Sequence, residues 1–225
     1  MALLDKLRKL SHPKIVVNYI KTKIYNIPER IRFRKIRNIG NFSIISNNCI
    51  GGFLYQKCGI KYYSPTIGLQ FPQEDFVKFC RNLEYYLQEE LKESNDKMQD
   101  GFTKLGGGEI NFPVGRLADI TIYFQHFHSF EEAKVKWDER KDRINRDNLF
   151  FIFVGYDNTP KDVFEEFNGL PLKHKLLLTN EKMINSNNSF AMHNGKHSWF
   201  DKMGNLRKKY YEQFDYYKWF IEGIS

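Results

Sequence analysis

The chain has 225 residues, of which 41% are hydrophobic and 28% are charged, and its formal net charge at pH 7 is +8. This length supports one sizeable domain with an apolar core. Three scattered cysteines predict neither a disulfide framework nor a zinc site, and no apolar run approaches the roughly 20 residues that span a bilayer. We therefore expect a cytoplasmic protein that is neither exported nor integral to the membrane.

The positive charge is concentrated in an N-terminal arm. Residues 1–38 hold eleven Lys and Arg against two acids, a net charge of +9, whereas residues 39–225 sum to −1. Leucines from Leu3 to Leu10 recur at helical spacing among the cations, which is typical of an amphipathic helix. We predict that this basic helical arm contacts an anionic membrane surface, with packing on the body as the alternative. The neutral body has no second basic surface, so no nucleic-acid partner is expected.

The body alternates short apolar runs with longer segments of helical period. In chain order we predict strand Phe42–Ile45, helix Gly52–Lys57, strand Ile67–Phe71, helix Gln73–Leu91, a loop or irregular hairpin over Lys92–Gly108, strand Ile120–Phe124, helix Phe130–Arg146, strand Leu149–Val154, helix Lys161–Phe167, strand Lys175–Leu178 and helix Phe214–Ile221. Alternating strands and helices favour parallel pairing. We therefore predict a single α/β domain over residues 39–225, with an open, mainly parallel, Rossmann-like sheet that carries helices on both faces.

Polar residues follow several of the predicted strands. Ligands of an open parallel sheet bind beside the carboxyl ends of its strands, where helix N-termini face the crevice. The predicted ligand-binding residues are Asn47, Asn48, Cys49, Gly51, Gly52, Ser64, Thr66, His128 and Asn180. The predicted catalytic residues are His126 and Asp157. Because left-handed turns also select Asn and Gly, a tight turn between strand and helix is the alternative for Asn47–Gly52.

Two further features have competing interpretations. Cys49 follows a strand, where a cysteine is commonly a small buried side chain, and a nucleophilic role would need a nearby base that the sequence does not locate. His126 and His128 form an HxH pair, which in a strand would point to one face and join Asp157 at a metal. Two ligands without a third at fixed spacing leave acid–base or structural roles open, so we predict no metal site. No GxGxxG or GxxxxGK[ST] motif identifies a nucleotide cofactor, and the sequence indicates none of another kind.

Longer motifs carry a family resemblance. They run in order from Asn41 to Phe220 and are "SNNCIGGFLYQKCGIKYYSPTIGL", "DFVKFCRNLEYYL", "PVGRLADITIYFQHF", "EEAKVKWDERKDRINRDNLFFI" and "FDYYKWF". The chain thereby resembles an uncharacterised family encoded among exopolysaccharide and capsule biosynthesis genes, and the arm lies outside this span. Among its recognisable positions, Arg143, Asn145 and Asn148 are expected to tie a helix end to the sheet, at the edge opposite the crevice.

The resemblance implies an intracellular step in the assembly of a surface glycan. We expect a transferase that acts on an activated sugar or a lipid-linked glycan, with a nucleotide sugar or glycan intermediate as its ligand and a peripheral position on the inner face of the membrane. No DxD motif is present, so a glycosyltransferase would have to meet the diphosphate charge with helix N-termini and basic or histidine side chains. Transfer of another group to a glycan, or hydrolysis, stays open. The alternative is a noncatalytic glycan-binding or assembly protein of the same machinery.

Overall fold

The computed structural model describes residues 27–38, 41–95, 112–155, 159–179, 187–191 and 213–224. In chain order its elements are α1 (Ile27–Arg34), a 3₁₀ helix (Lys35–Asn38), β1 (Ser43–Ser46), α2 (Ile50–Cys58), α3 (Gln73–Arg81), α4 (Leu83–Gln88), β2 (Leu91–Ser94), β3 (Val114–Leu117), β4 (Ile120–Tyr123), α5 (Phe130–Lys141), β5 (Leu149–Val154), α6 (Lys161–Gly169), β6 (His174–Thr179), β7 (Ser189–Ala191) and α7 (Tyr216–Ile224).

The main sheet is parallel and has the strand order β1-β5-β6-β7. Side chains of β5 alternate between two buried layers. Phe150 and Ile152 pack in a core cluster with residues of α1, α2 and α7, whereas Phe151 and Phe153 pack with α3, α5 and α6. Because both faces are covered, β5 is a continuous apolar run rather than an alternating one. The predicted α/β fold, with a mainly parallel sheet between helices, is confirmed.

A second, antiparallel sheet has the strand order β2-β3-β4. The predicted strand Ile120–Phe124 exists as β4, but it pairs with β3 in this small sheet and not with the main one. The reason is local, since β3 and β4 are joined by the two residues Ala118 and Asp119, and a connection this short allows only an antiparallel hairpin. Ala118 has φ 52°, the left-handed conformation that such a turn requires.

Three other predicted elements differ from the structure. The helix predicted over Phe130–Arg146 ends at Lys141 as α5. The helix predicted over Gln73–Leu91 is broken at Asn82 (φ −125°, ψ 46°) into α3 and α4, and Leu91 already begins β2. The strand predicted over Ile67–Phe71 is reduced to a single bridge between Gln70 and Tyr123. Residues 96–111, within the predicted loop, lie outside the described residues.

The described part of the basic arm, residues 27–38, packs on the body. Phe33 and Ile36 are fully buried in the cluster that also contains residues of α2 and α7. The Phe33 ring meets the edge of Tyr217 at 6.0 Å, and Arg32 pairs with Asp215 at 2.9 Å. This segment therefore belongs to the folded core, while residues 1–26 lie outside the described residues.

The open edge of β1 is closed by two side-chain hydroxyls. Tyr55 Oη accepts from the Ile44 N–H at 3.0 Å and donates to the Phe42 carbonyl at 3.1 Å. Thr66 Oγ1 accepts from the Ser46 N–H at 3.1 Å and donates to the Ile44 carbonyl at 3.3 Å. Both hydroxyls are buried, so they replace the hydrogen bonds that a neighbouring strand would provide.

We expect Tyr55→Phe to lower the free energy of unfolding by about 1–3 kcal/mol, because the Ile44 N–H and Phe42 carbonyl lose a buried partner. Tyr62→Phe is the matched control, since the Tyr62 hydroxyl accepts an exposed hydrogen bond from Gln56; its effect should stay within about 0.5 kcal/mol. Urea denaturation of both variants measures the difference. Equal midpoints would show that the Tyr55 hydroxyl does not support the β1 edge.

Candidate functional site

The carboxyl end of β1 brings Cys49 and His126 together. Cys49 is the half-buried N-cap residue of α2, and His126 is exposed in the loop after β4. The distance from His126 Nε2 to Cys49 Sγ is 3.1 Å, although the two residues are 77 positions apart in the sequence. His126, one of the predicted catalytic residues, therefore lies where a base for Cys49 would have to be.

Residues 68–71, just before α3, connect the two sheets by backbone hydrogen bonds and thereby position Cys49 next to His126. The Phe71 N–H donates to the carbonyl of Asn47 at 3.0 Å, at the end of the main sheet. Gln70 exchanges two backbone hydrogen bonds of 2.8 Å with the last residue of β4. The His126 N–H then donates to the carbonyl of Gly68 at 3.1 Å. The sequence analysis assigned no site role to this segment, because its role is carried by backbone groups that leave no motif.

The electrostatic environment keeps the Cys49 thiol neutral. The positive end of the α2 dipole favours a thiolate at the helix N-terminus. Burial nevertheless raises the pKa of the Cys49 thiol to about 11. The thiol is therefore protonated at neutral pH, and which of Sγ and Nε2 donates in their contact depends on the tautomer of His126.

Asn47 uses its side chain to extend the main sheet. Asn47 Nδ2 donates to the Val154 carbonyl at 2.9 Å, and Asn47 Oδ1 accepts from the Val154 N–H at 2.9 Å. The side chain is fully buried and reproduces a pair of ladder hydrogen bonds at the carboxyl ends of β1 and β5. Its predicted role in ligand binding stays a prediction, beside this structural role.

Asn48 and Ser46 cap the N-terminus of α2. Asn48 Oδ1 accepts from the Ile50 N–H at 3.0 Å, while Ser46 Oγ accepts from the Gly51 N–H at 3.3 Å and donates to the Asn48 carbonyl at 2.9 Å. Amide hydrogens of the first helical turn have no partner inside the helix, so these two side chains satisfy them. The tight-turn alternative thus accounts for the local geometry, and ligand binding by Asn48 remains to be tested.

The two glycines of α2 differ in how closely the helix approaches its neighbours. A Cβ at Gly51 would lie 2.8 Å from Ser46 Oγ, so only glycine fits there without a shift. A Cβ at Gly52 would meet Ile67 Cγ2 at 3.4 Å, an ordinary contact. Gly51 therefore brings the helix start, and with it Cys49, close against β1.

Ser64 and Thr66 are buried against the same strand. Ser64 Oγ lies 3.0 Å from Thr66 Oγ1 and accepts from the Thr66 N–H at 3.2 Å. This arrangement orients the hydroxyl that closes the β1 edge. A contact of either residue with a ligand is still a prediction.

The HxH pair does not lie in a strand, because β4 ends at Tyr123 and the two histidines His126 and His128 occupy the following loop. The His128 N–H donates to Glu132 Oε2 at 3.1 Å, next to the start of α5, where Ser129 Oγ accepts from the Glu132 N–H at 3.1 Å. Within the described ranges, no group of three or more His, Cys, Asp or Glu side chains is placed to hold a metal ion.

The predicted residues Asp157 and Asn180 lie outside the described residues.

The opposite edge of the sheet holds the structural contacts that were expected there. The Asn145 N–H donates to Ser43 Oγ at 2.8 Å, and the Ser43 N–H donates to the Asn148 carbonyl at 2.8 Å. Asn145 and Asn148 thus tie the end of α5 to β1, as predicted. Arg143 differs, because it pairs with Glu139 of α5 itself at 3.4 Å.

The pH dependence of Cys49 alkylation tests whether the thiol is protonated at neutral pH. We expect iodoacetamide to alkylate Cys49 in the native protein, since Cys58 and Cys80 are buried. Only the thiolate reacts, so the rate should rise about tenfold per pH unit from pH 7 towards 10. Mass spectrometry of the peptide, with N-acetylcysteine as reference, measures the profile. A plateau near neutral pH would instead indicate a standing thiolate–imidazolium pair.

Sequence comparisons with known proteins show the family of this chain. An uncharacterized protein of Haemophilus influenzae is 34% identical over 192 residues, which cover 83% of this chain and 87% of that protein. The family described as "Domain of unknown function (DUF1919)" matches residues 18–221. The match begins inside the basic arm, so the expectation that the arm lies outside the family is corrected for residues 18–38, whereas residues 1–17 lie outside the match. No helix in the described ranges has both the length and the hydrophobicity of a membrane span. With 204 of its residues matched by one family, the chain belongs to the DUF1919 family.

Proposed function

We propose that the chain is a group-transfer enzyme of surface-polysaccharide biosynthesis, with Cys49 as nucleophile and His126 as general base. The reaction is supported by the 3.1 Å approach of His126 Nε2 to Cys49 Sγ at the carboxyl edge of the parallel sheet. The glycan context is supported by the family resemblance of the sequence motifs. The acceptor would be a hydroxyl of an activated sugar or a lipid-linked glycan.

The proposed reaction has two balanced steps. As the Cys49 sulfur attacks the donor, its proton passes to His126 Nε2, and the leaving group departs with the bonding electron pair and takes that proton. The acceptor hydroxyl then attacks the covalent intermediate and gives its proton to His126, which returns it to the departing sulfur. Cysteine nucleophiles form thioesters with acyl donors, so transfer of an acyl group onto the glycan fits this pair best.

The environment of the pair agrees with this role. A thiol whose pKa is raised to about 11 is inactive at neutral pH unless a base contacts it, and His126 does so. The half-buried position of Cys49 also limits attack by water on a covalent intermediate. Asp157 is kept as a second proposed catalytic residue, and Asp157→Asn tests it in the same assay.

We expect Cys49→Ala to abolish polysaccharide assembly and His126→Gln to reduce the transfer rate by about 10²–10⁴-fold, because the proton acceptor is lost. Complementation of a strain that lacks the gene, with quantified surface polysaccharide, measures the effect. Cys58→Ala is the matched control, since it removes a buried thiol away from His126. Thermal melting of each purified variant separates lost chemistry from lost folding.

The possible results test the glycan context and the covalent mechanism separately. If the gene deletion leaves surface polysaccharide unchanged, the glycan context is wrong. If the deletion removes polysaccharide but folded Cys49→Ala restores it fully, the covalent mechanism is wrong. The noncatalytic glycan-binding or assembly protein is then the better proposal.

We also propose that the basic arm binds an anionic membrane surface. Buried Phe33 and Ile36 fix the segment before β1 on the body, and the charged side chains between and beside them face outward. The exposed side chains of this segment include Ile31, Arg32, Arg34, Lys35 and Arg37. A fixed row of cations with one apolar side chain is complementary to anionic headgroups.

The triple change Arg34→Gln, Lys35→Gln and Arg37→Gln should weaken sedimentation with anionic vesicles on the order of 100-fold, because each cation near the surface contributes about 1 kcal/mol. A matched triple at exposed lysines elsewhere, Lys61, Lys92 and Lys161, should have little effect. Deletion of residues 1–38 is unsuitable because it removes Phe33 and Ile36 from the core. Equal vesicle binding by the two triple variants would exclude the arm as the binding surface.

A further inference from the structure

We propose that a cavity at the amino-terminal ends of β5 and β6 binds a small ligand that carries both an aromatic ring and a phosphate, as a nucleoside monophosphate does. The cavity lies at the edge of the main sheet opposite to Cys49 and His126. The inference does not depend on the proposed transfer reaction.

The cavity has a volume of about 550 Å³, within the roughly 300–1,000 Å³ of small-molecule sites. Its walls come from the α3–α4 junction, the loop before β5 and the loop before β6. The floor is apolar and consists of buried Leu83 and Phe151 with half-buried Leu149 and Leu172. A ligand that enters it therefore buries a ring or another apolar portion.

Charged side chains of both signs surround the cavity. Three cations and two acids line it: Arg81, Arg146, Lys173, Glu84 and Asp147. Arg146 is held by both carboxylate oxygens of Glu84, at 2.8 and 2.9 Å, and Arg81 pairs with Glu166 of α6. Lys173 is exposed, and no ion pair between described residues involves it. Lys173 and the oriented Arg146 guanidinium offer the donors that a phosphate group takes.

An aromatic side chain stands beside these cations. Tyr85 lines the cavity with 52% of its surface exposed and is one of four exposed large hydrophobic residues among those that the structure describes. Its ring meets Tyr86 edge to face at 5.0 Å, and Tyr86 Oη donates to Asp119 Oδ1 at 2.7 Å. Tyr86 therefore holds the Tyr85 ring in place, and a base can stack on the exposed face of that ring.

The cavity lies at the other end of the main sheet from the Cys49 thiol. Strand β5 has six residues, so its two ends are about 20 Å apart. A ligand in the cavity does not reach Cys49, and its binding is measurable whether or not the transfer reaction is correct.

Isothermal titration of the full chain at low salt tests the proposal with the four common nucleoside monophosphates, the matching nucleosides and inorganic phosphate as probes. We expect at least one nucleotide to bind with a submillimolar Kd. Its nucleoside, which lacks the charge, and phosphate, which lacks the ring, should each bind at least tenfold more weakly.

Exposed side chains provide the variants, so folding is not at risk. Lys173→Gln and Tyr85→Ala should each weaken the bound nucleotide at least tenfold, whereas Arg143→Gln, an exposed arginine paired with Glu139 outside the cavity, should not. Cys49→Ser should also leave binding unchanged, which distinguishes this site from the proposed catalytic one. Failure of all four nucleotides to bind at millimolar concentration, or binding that survives both Lys173→Gln and Tyr85→Ala, would overturn the proposal.

Discussion

The structure depends on how the backbone of β1 is satisfied at the edge of its sheet. On one side β5 supplies a parallel ladder, and on the other the hydroxyls of Tyr55 and Thr66 supply the hydrogen bonds of a missing strand. Beyond the last strand residue, the Asn47 side chain continues the ladder to Val154. Because a buried peptide group without a partner is costly, these polar contacts fix the end of β1. They thereby fix the position of Cys49.

The site arises where the two sheets meet. The main sheet presents Cys49 at the start of α2, and the small sheet presents His126 after β4; the segment through Gln70 joins the two by backbone hydrogen bonds. Two opposing effects then act on the thiol. The helix N-terminus favours the thiolate, but burial raises the thiol pKa to about 11 and is the stronger effect. The thiol is therefore protonated at neutral pH, and the proposed reaction requires transfer of its proton to the imidazole.

The two edges of the parallel sheet differ in character. Among the described residues, the carboxyl edge combines capping side chains with the thiol–imidazole contact of Cys49 and His126. The amino edge combines structural ties from Asn145 with a cavity lined by Arg146, Lys173 and Tyr85. Residues of the arm join the core on the face formed by α2 and α7. We propose a different role for each region: covalent chemistry at the carboxyl edge, ligand binding at the amino edge and surface association at the arm.

The sequence by itself determined the elements whose signal is local. The apolar run Leu149–Val154 predicted β5 with its observed bounds, and strand–helix alternation predicted the parallel sheet with helices on both faces. Only the tertiary structure showed that β4 pairs with β3 in a separate sheet, because a short apolar run has the same pattern in either sheet and β3 was not among the predicted strands. It also decided the contact between Cys49 and His126, because their 77-residue separation is closed by backbone hydrogen bonds that no residue type encodes. The amide of Asn47 illustrates the same limit: its donor and acceptor suit a ligand or a strand equally, and the position of Val154 decides which of them it meets in the fold.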